Sequence, residues 1–328
     1  MRQARIKVDA AAGEAVYHCM SRTVNGERLF DDTAKEILRR QLWQVAHYCG
    51  VEIVTYAIMA NHFHVLIRVP QSQRVSDDEL LGRFAVLYPK PTKYQSARLE
   101  VVKAQLVGDG PDAVAWRARQ LALMGDVSAF MKLVKQRFSI WFNRTHHRFG
   151  TLWAERFKSV LVEPRGNALR TMTAYIDLNA VRAGLVEDPK DYRFCGYAEA
   201  VAGNTSAQQN LAWAMGHRDW TTGQSAYRLL LFGTGARQRM DKASVSEGSF
   251  QQVVRQKGKL PLSAVLRIRI RHFSDGAVLG SKAFVAGYVS RYRKVSDRGS
   301  RTAPRPVPEL KNWGELTTMR GLRRPLCE

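Results

Sequence analysis

The hydrophobic positions of the first 70 residues change their period along the chain. Residues 14–21 alternate in the short, mostly apolar manner of a β-strand. Between Asp32 and Gly50 the apolar positions follow helical spacing, which predicts an α-helix with a glycine cap at its C-terminal end. Residues 51–59 and 62–69 have the apolar composition of two more strands. This part of the chain therefore predicts the order strand, helix, strand, strand.

The regular pattern stops after residue 70 and resumes near residue 126. Residues 71–125 are punctuated by proline and glycine, so we expect an insertion there, with a short helix over 76–87. A stripe of apolar residues then predicts a helix over 126–144. A strand is predicted over 157–163.

The last helix of this series is predicted over residues 167–183. Asn167 is suited to its N-cap and Gly184 to its termination. The complete order, β-α-β-β-α-β-α, resembles the ferredoxin-like layer, in which a split βαβ unit packs helices on one sheet. We therefore expect an α+β fold, followed by a boundary in the polar residues 203–209.

The chain is strongly basic, and much of the excess lies near its C-terminal end. It has 51 Lys and Arg residues against 29 Asp and Glu, a formal net charge of +22. Residues 251–328 hold 17 basic and 5 acidic residues and thus contribute +12. A surplus of this size indicates a polyanionic partner, and its concentration indicates a nucleic-acid contact surface. The alternative is a solvated basic tail without a partner.

Within this basic region, three arginines are spaced two residues apart. Arg267, Arg269 and Arg271 alternate with Ile268 and Ile270. In an extended segment, this places the guanidinium groups on one face. Such a face can follow a DNA backbone, and a solvated edge strand is the alternative. Binding through these arginines should weaken steeply as the salt concentration rises.

The apolar runs, the first residues and the cysteines indicate in which cellular compartment the protein works. No apolar run approaches the roughly 20 residues of a membrane-spanning helix. The first residues do not contain the apolar centre of a signal peptide. The four cysteines, at positions 19, 49, 195 and 327, form no Cys-x-x-Cys pair, so neither a disulfide framework nor a zinc knuckle is expected. We expect a cytoplasmic protein without a membrane partner.

Two histidines on the third predicted strand are candidates for metal binding. His62 and His64 project to the same face of a strand, while Phe63 points into the opposite, packed side. Two neighbouring imidazoles can hold one metal ion. On spacing alone the signal is weak, and an ordinary surface or core histidine pair is the more common explanation of the pattern.

A second candidate group lies on the helix predicted over 167–183. Tyr175 and Asn179 are one helical turn apart, and Arg182 extends the same face. A phenol can act as a nucleophile, an amide oxygen as a metal ligand and a guanidinium as a phosphate clamp. The alternative is a half-buried tyrosine beside a surface asparagine, and the pattern alone does not decide between the two interpretations.

The order of several motifs resembles a known family. These motifs are Asn61-His62-Phe63-His64-Val65-Leu66-Ile67, Gly150-Thr151-Leu152-Trp153 leading to Arg156-Phe157, Tyr175-Ile176-Asp177-Leu178-Asn179, and Val181-Arg182-Ala183-Gly184-Leu185-Val186. Together they resemble the REP-associated tyrosine transposases, which belong to the single-tyrosine HUH transposase superfamily. The resemblance covers about residues 14–197 apart from the insertion. A weaker similarity continues from Arg271 to Val285.

The resemblance implies a domain organisation as well as an activity. We expect an HUH nuclease domain over residues 10–200 with an insertion at about 71–125, a basic, partly helical DNA-contacting region over 205–300, and a flexible tail over 301–328. His62 and His64 would bind a divalent metal, Mg²⁺ or Mn²⁺, with Asn179 as a third ligand. Tyr175 would attack DNA.

The implied reaction is cleavage and rejoining of single-stranded DNA beside REP-like hairpins through a 5′-phosphotyrosine intermediate. A phenol has a pKa of about 10 and is a poor nucleophile at neutral pH, so a metal ion that polarises the phosphate would provide much of the help. The predicted DNA contacts are Arg156, Arg182, Arg267, Arg269 and Arg271. Either a monomer or a homodimer is compatible with the sequence.

Two other functional classes are considered. The first is a non-catalytic nucleic-acid-binding module on the same fold, since one fold hosts many functions. Such a module has no need to combine Tyr175, Asn179, His62 and His64. The second is a zinc hydrolase, which ranks last because no carboxylate ligand or base accompanies the histidine pair.

Overall fold

One mixed β-sheet organises the residues that the computed structural model describes, which are 6–8, 13–71, 75–89, 99–108, 110–232, 277–293, 305–306 and 316–319. Its seven strands are β1 (Ala15–Arg22), β2 (Glu52–Ile58), β3 (His62–Val69), β4 (Lys158–Val162), β5 (Val278–Ser281), β6 (Arg305–Pro306) and β7 (Leu316–Met319). The α-helices are α1 (Asp32–Cys49), α2 (Asp77–Leu87), α3 (Leu99–Leu106), α4 (Pro111–Leu121), α5 (Val127–Thr145), α6 (Gly166–Asp177), α7 (Asn179–Arg182), α8 (Gly196–Val201), α9 (Thr205–Met215), α10 (Trp220–Phe232) and α11 (Lys282–Arg293).

The centre of the sheet has the predicted ferredoxin-like topology. The strand order is β2-β3-β1-β4, and each neighbouring pair is antiparallel. α1 connects β1 to β2, and α5 precedes β4, so the chain follows the order of a split βαβ unit. The α+β fold class is confirmed.

The two faces of the sheet carry different helices. On one face, the Phe63 ring contacts the Trp153 indole at 5.6 Å, and Trp153 contacts Phe138 of α5 at 5.9 Å. The strand alternation sends the side chains of His62 and His64 to the other face, where α6 lies. The prediction that Phe63 points into the packed side is confirmed.

Side-chain caps explain where several helices begin. Asp31, Ser76 and Asp126 each accept a hydrogen bond from the backbone N–H three residues later, at the starts of α1, α2 and α5. Gly50 ends α1 in the left-handed conformation, with φ of 60°. These helices lie within two residues of their predicted positions.

The insertion contains more helix than predicted. Besides α2, which matches the expected helix over 76–87, it contains α3 and α4. Gly110 is the N-cap of α4 and Pro111 its first residue, so these two residues mark the start of a helix. Phe84 of α2 contacts buried Trp116 of α4 at 5.7 Å. An apolar contact between two of its own helices therefore stabilises the insertion.

The structure also differs in detail from the single helix predicted over 167–183. It is divided at Leu178 into α6 and α7, and Arg165 rather than Asn167 occupies the N-cap position. Asn167 lies inside the first turn of α6 instead. The predicted stop is confirmed, because Gly184 has a left-handed φ of 69°.

The C-terminal part of the chain extends the same sheet. β5 pairs in parallel with β4 and antiparallel with β7, which pairs with β6. Glu163 accepts hydrogen bonds from the backbone N–H of Ser281 at 2.6 Å and from its hydroxyl at 3.1 Å. α9 lies against β2, where the Asn210 side-chain amide donates to the Ile53 carbonyl at 3.1 Å. The division at 203–209 stays a prediction.

Among the residues described, no helix combines the length and apolar character needed to cross a bilayer.

Candidate active site

Three imidazoles lie on the face of the sheet that α6 covers. The ring centroids of His62 and His64 on β3 are 5.1 Å apart. His18 of β1 adds a third ring, because the register pairs it with Leu66, diagonally across from His64. His18 Nε2 and His64 Nδ1 are 2.8 Å apart, a hydrogen-bond distance. Both rings are buried, so this contact is shielded from water.

Asn61, the residue before β3, orients the His62 ring through a hydrogen bond. Asn61 Oδ1 lies 2.7 Å from His62 Nδ1. The Asn61 amide nitrogen donates to the Gly26 carbonyl at 3.0 Å, which fixes the orientation of the amide group. Asn61 therefore connects the histidine to the turn that follows β1.

Tyr175 reaches the imidazoles from α6. Its ring centroid lies 5.9 Å from that of His64 and 6.1 Å from that of His18, with edge-to-face geometry. The side chain is buried with 8% of its surface exposed. The structure thus brings Tyr175 to His62 and His64, which lie more than 100 positions earlier in the chain.

Asn179 and Arg182 complete the cluster from α7, the short helix that follows α6. The Asn179 amide nitrogen donates to the Ile176 carbonyl at 2.9 Å, and its Oδ1 accepts from Arg182 at 2.6 Å. Arg182 also donates to the Tyr175 carbonyl at 3.1 Å. The guanidinium carbon lies 4.1 Å from the Tyr175 ring centroid, a cation–π contact. Arg182 therefore places a positive charge directly over the phenol.

Burial keeps the two histidines of β3 neutral at physiological pH. Burial, together with the positive charges of Arg22 and Arg182, lowers the pKa of His62 to about 4. Burial also lowers the pKa of His64 well below its usual value, helped by the neighbouring rings of His18 and His62. A neutral imidazole has one ring nitrogen with a free lone pair, which is the form that binds metal ions.

Comparison with known proteins identifies a relationship within this region. Residues 12–78 match the model of the family described as "Transposase IS200 like". The predicted resemblance to a transposase family is confirmed over these residues, which are about a fifth of the chain. A search of curated proteins finds no match.

One solved structure that matches is described as a REP-associated tyrosine transposase bound to a REP hairpin. The sequences are 14% identical, the alignment covers 62% of this chain and 86% of that one, and the TM-score is 0.39.

The IS200-like segment, residues 12–78, supplies only part of the site. It contains His18, Asn61, His62 and His64, whereas Tyr175, Asn179 and Arg182 come from outside it. His18 was not predicted as part of the site. Its position in the alternating strand over 14–21 was the available signal, but the register of β1 against β3 decides which ring it meets.

His62, His64 and Asn179 form the candidate donor set for a divalent cation. The described part of the chain has no group of three or more His, Cys, Asp or Glu side chains arranged to hold a metal ion. The neutral imidazoles of His62 and His64 fit such an ion. The Asn179 oxygen accepts from Arg182, and the positive charge of that guanidinium opposes a cation at the same oxygen for as long as the hydrogen bond is kept. The site therefore offers two nitrogen ligands and one oxygen that Arg182 controls.

The remaining predicted DNA contacts are placed as follows. Arg156 is exposed in the loop before β4. Arg182 is half-buried over Tyr175. Arg267, Arg269 and Arg271 lie outside the described residues.

A buried carboxylate anchors the end of α6, two residues after Tyr175. Asp177 accepts hydrogen bonds from the Thr55 hydroxyl at 2.7 Å, the Tyr197 backbone N–H at 3.2 Å and the Tyr227 hydroxyl. A Cβ atom on Gly196 would lie 2.3 Å from Thr55 Oγ1, so only glycine lets this turn approach β2 closely enough. This network joins α6 to β2, α8 and α10.

Asp177 should make stability depend on pH. Burial raises its pKa from 3.8 to about 6, although hydrogen bonds from Tyr227 and Thr55 oppose the rise. The folded state therefore holds this proton more tightly than the unfolded state, so its contribution is complete below about pH 4 and is lost as the pH rises to about 6. The shift corresponds to at most about 3 kcal/mol.

The measurement is urea unfolding between pH 4 and 7 for the wild type and Asp177→Asn. His62 and His64 have lowered pKa values and act in the opposite direction over part of this range. The difference between the two proteins isolates Asp177. We expect the wild type to lose stability relative to the variant as the pH rises from 4 to 6. A constant difference would contradict the assignment.

Proposed function

We propose that this protein cuts and rejoins single strands of DNA, with Tyr175 as the nucleophile. The observation that carries the proposal is the placement of the Tyr175 ring 5.9 Å from the His64 ring and under the Arg182 guanidinium. The match of residues 12–78 to IS200-like transposases supports a DNA-processing role.

In the proposed step, Tyr175 Oη attacks the scissile phosphorus and the bond from phosphorus to the 3′-oxygen breaks. The phenol loses its proton to solvent, and the leaving 3′-oxygen takes one up to become a hydroxyl group. The products are a 5′-phosphotyrosine and a free 3′-OH. Because one phosphodiester replaces another, a 3′-OH can reverse the step and rejoin strands without ATP.

Each surrounding side chain has a defined part in this step. Arg182 holds the Tyr175 ring and places positive charge where a phosphate would approach. His62 and His64 provide neutral nitrogen ligands for Mg²⁺ or Mn²⁺, and Asn179 provides an oxygen ligand when Arg182 turns to the phosphate. When bound, the cation would draw charge from the phosphate and orient it.

The proposed substrate is a single strand beside a hairpin. A flexible strand can bend into a buried site, whereas a duplex resists bending. The formal net charge of +22 supports a polyanionic partner, and exposed Arg156 is available to contact its backbone.

The test is to map the covalent product. Wild-type protein is incubated with Mn²⁺ or Mg²⁺ and single-stranded oligonucleotides that carry a hairpin, labelled at either the 5′ or the 3′ end. We expect the protein to remain attached to the 5′ end that the cut creates on the downstream fragment, so that only the 3′-labelled fragment is retained with the protein. Mass spectrometry of the digested adduct should find the nucleotide on the peptide that contains Tyr175.

Two results would contradict the proposal. Attachment to a different tyrosine would show that the nucleophile is wrong. Tight, salt-sensitive binding of the same oligonucleotides without cleavage under any metal condition would favour a non-catalytic nucleic-acid-binding module.

A further inference from the structure

Both histidines of β3 form a hydrogen bond through the same ring atom. His62 Nδ1 lies 2.7 Å from Asn61 Oδ1, and His64 Nδ1 lies 2.8 Å from His18 Nε2. The ring centroids of His18 and His64 are 5.0 Å apart and the rings are inclined by 13°, a geometry that is compatible with a hydrogen bond in the plane of both rings. These two contacts occupy Nδ1 of each ring. Nε2 is therefore the atom through which each ring can bind a ligand in the site.

The direction of the bond to His62 follows from the amide group. Because Asn61 donates through its nitrogen to the Gly26 carbonyl, its oxygen faces His62. An amide oxygen only accepts, so His62 Nδ1 carries the hydrogen. The neutral ring has one N–H, and therefore the lone pair lies on Nε2.

For His64 the contact alone allows either direction, because both partners are imidazoles. The positive charge beside the site distinguishes the two possible directions of this hydrogen bond. The Arg182 guanidinium carbon lies 4.1 Å from the Tyr175 ring centroid, and that centroid lies 5.9 Å from the centroid of the His64 ring, so a positive charge stands on the α6 side of the site. A positive potential favours a lone pair over an N–H on the ring atom turned toward the site. A donor at Nδ1 and a lone pair at Nε2 satisfy this condition.

We propose that Asn61 and His18 are a pair of positioning residues that set one tautomer, Nδ1–H, in both His62 and His64. His18 accepts the hydrogen bond from His64 in the way that Asn61 accepts it from His62. Both rings then present an Nε2 lone pair to a divalent cation. The part of this inference that concerns the cation rests on the proposed function, whereas the tautomers are a property of the protein alone.

This arrangement explains why a buried histidine is used at position 18. A ligand histidine commonly donates its second ring nitrogen to an acceptor, which fixes the ring and strengthens the ligand. His18 is 1% exposed and His64 is 2% exposed, so water is a poor substitute for either partner. Removing such an acceptor commonly lowers metal affinity by about 10- to 100-fold.

The first test is long-range ¹H–¹⁵N NMR of the labelled, metal-free protein at neutral pH, with signals assigned from the single variants His62→Gln and His64→Gln. The pattern of couplings distinguishes the Nδ1–H from the Nε2–H tautomer. We expect Nδ1–H in both rings. An Nε2–H tautomer for either histidine would overturn the proposal for that residue, whether or not the protein cleaves DNA.

The second test is titration with Mn²⁺, followed by electron paramagnetic resonance, without DNA. His18→Phe removes the acceptor and should weaken Mn²⁺ binding by about 10- to 100-fold, whereas His18→Gln keeps an acceptor oxygen and should restore most of it. Asn61→Ala and Asn61→Asp form the matching pair for His62. His47→Gln, on the exposed side of α1, is the control.

These results separate this inference from the proposed function. Equal Mn²⁺ affinity in the wild type and His18→Phe, or equal losses in His18→Phe and His18→Gln, would overturn the positioning role. Nδ1–H tautomers with normal Mn²⁺ binding but without a Tyr175 adduct would leave the inference standing and refute the proposed reaction.

Discussion

Replacing Tyr175 with phenylalanine should abolish covalent attachment to DNA and lower strand cleavage by at least about a thousandfold. The substitution removes only the phenolic oxygen, which is the atom that would form the bond to phosphorus. The ring remains, so its contacts with the His18 and His64 rings and with Arg182 are kept. Folding and DNA binding should therefore be close to those of the wild type. The measurements are adduct formation on denaturing gels and DNA binding by fluorescence anisotropy.

A matched tyrosine provides the control for this substitution. Tyr88 lies at the end of α2, where its ring contacts Phe84 at 4.7 Å and Arg137 at 5.4 Å. Tyr88→Phe removes a phenolic oxygen away from the imidazoles and should cleave DNA at the wild-type rate. Full adduct formation by Tyr175→Phe would mean that another residue is the nucleophile.

The helices and strands whose hydrophobic residues repeat at a clear helical or strand spacing could be predicted from the sequence. α1 and α5 have apolar stripes with an aspartate cap, and β3 alternates so that Phe63 and the two histidines occupy opposite faces. The helical spacing of Tyr175 and Asn179 also predicted their proximity. That proximity persists although the helix divides at Leu178, because the Asn179 amide nitrogen donates to the Tyr175 carbonyl at 3.2 Å.

The parts of the site that depend on tertiary contacts could not be predicted. His18 meets His64 only because β1 pairs with β3 in one register, and nothing local to residues 14–21 specifies that register. The Asp177 anchor depends on Tyr227, which is 50 positions away on α10. Two helices of the insertion, α3 and α4, were missed because proline and glycine mark the ends of helices as well as loops.

Replacing His64 should separate catalysis from DNA binding. His64→Ala removes one of the two imidazoles that would hold the cation, and we expect cleavage to fall by about 100-fold or more, which corresponds to about 3 kcal/mol of transition-state stabilisation. DNA affinity should change little, since only 2% of the His64 surface is exposed and the residue offers almost no contact area to a strand. Cleavage rates and binding constants are measured on one hairpin oligonucleotide at a fixed Mn²⁺ concentration.

Two further variants show whether a loss of cleavage comes from lost chemistry or from damaged packing. Alanine leaves a cavity beside His18 and Tyr175, which destabilises the fold by itself. His64→Gln retains more of the side-chain volume without the imidazole and should show the same defect in cleavage with a smaller loss of thermal stability. His47→Ala, an exposed histidine of α1, should behave as the wild type. Equal losses of cleavage and DNA binding in His64→Gln would place His64 in the fold or in the DNA interface and not at the cation.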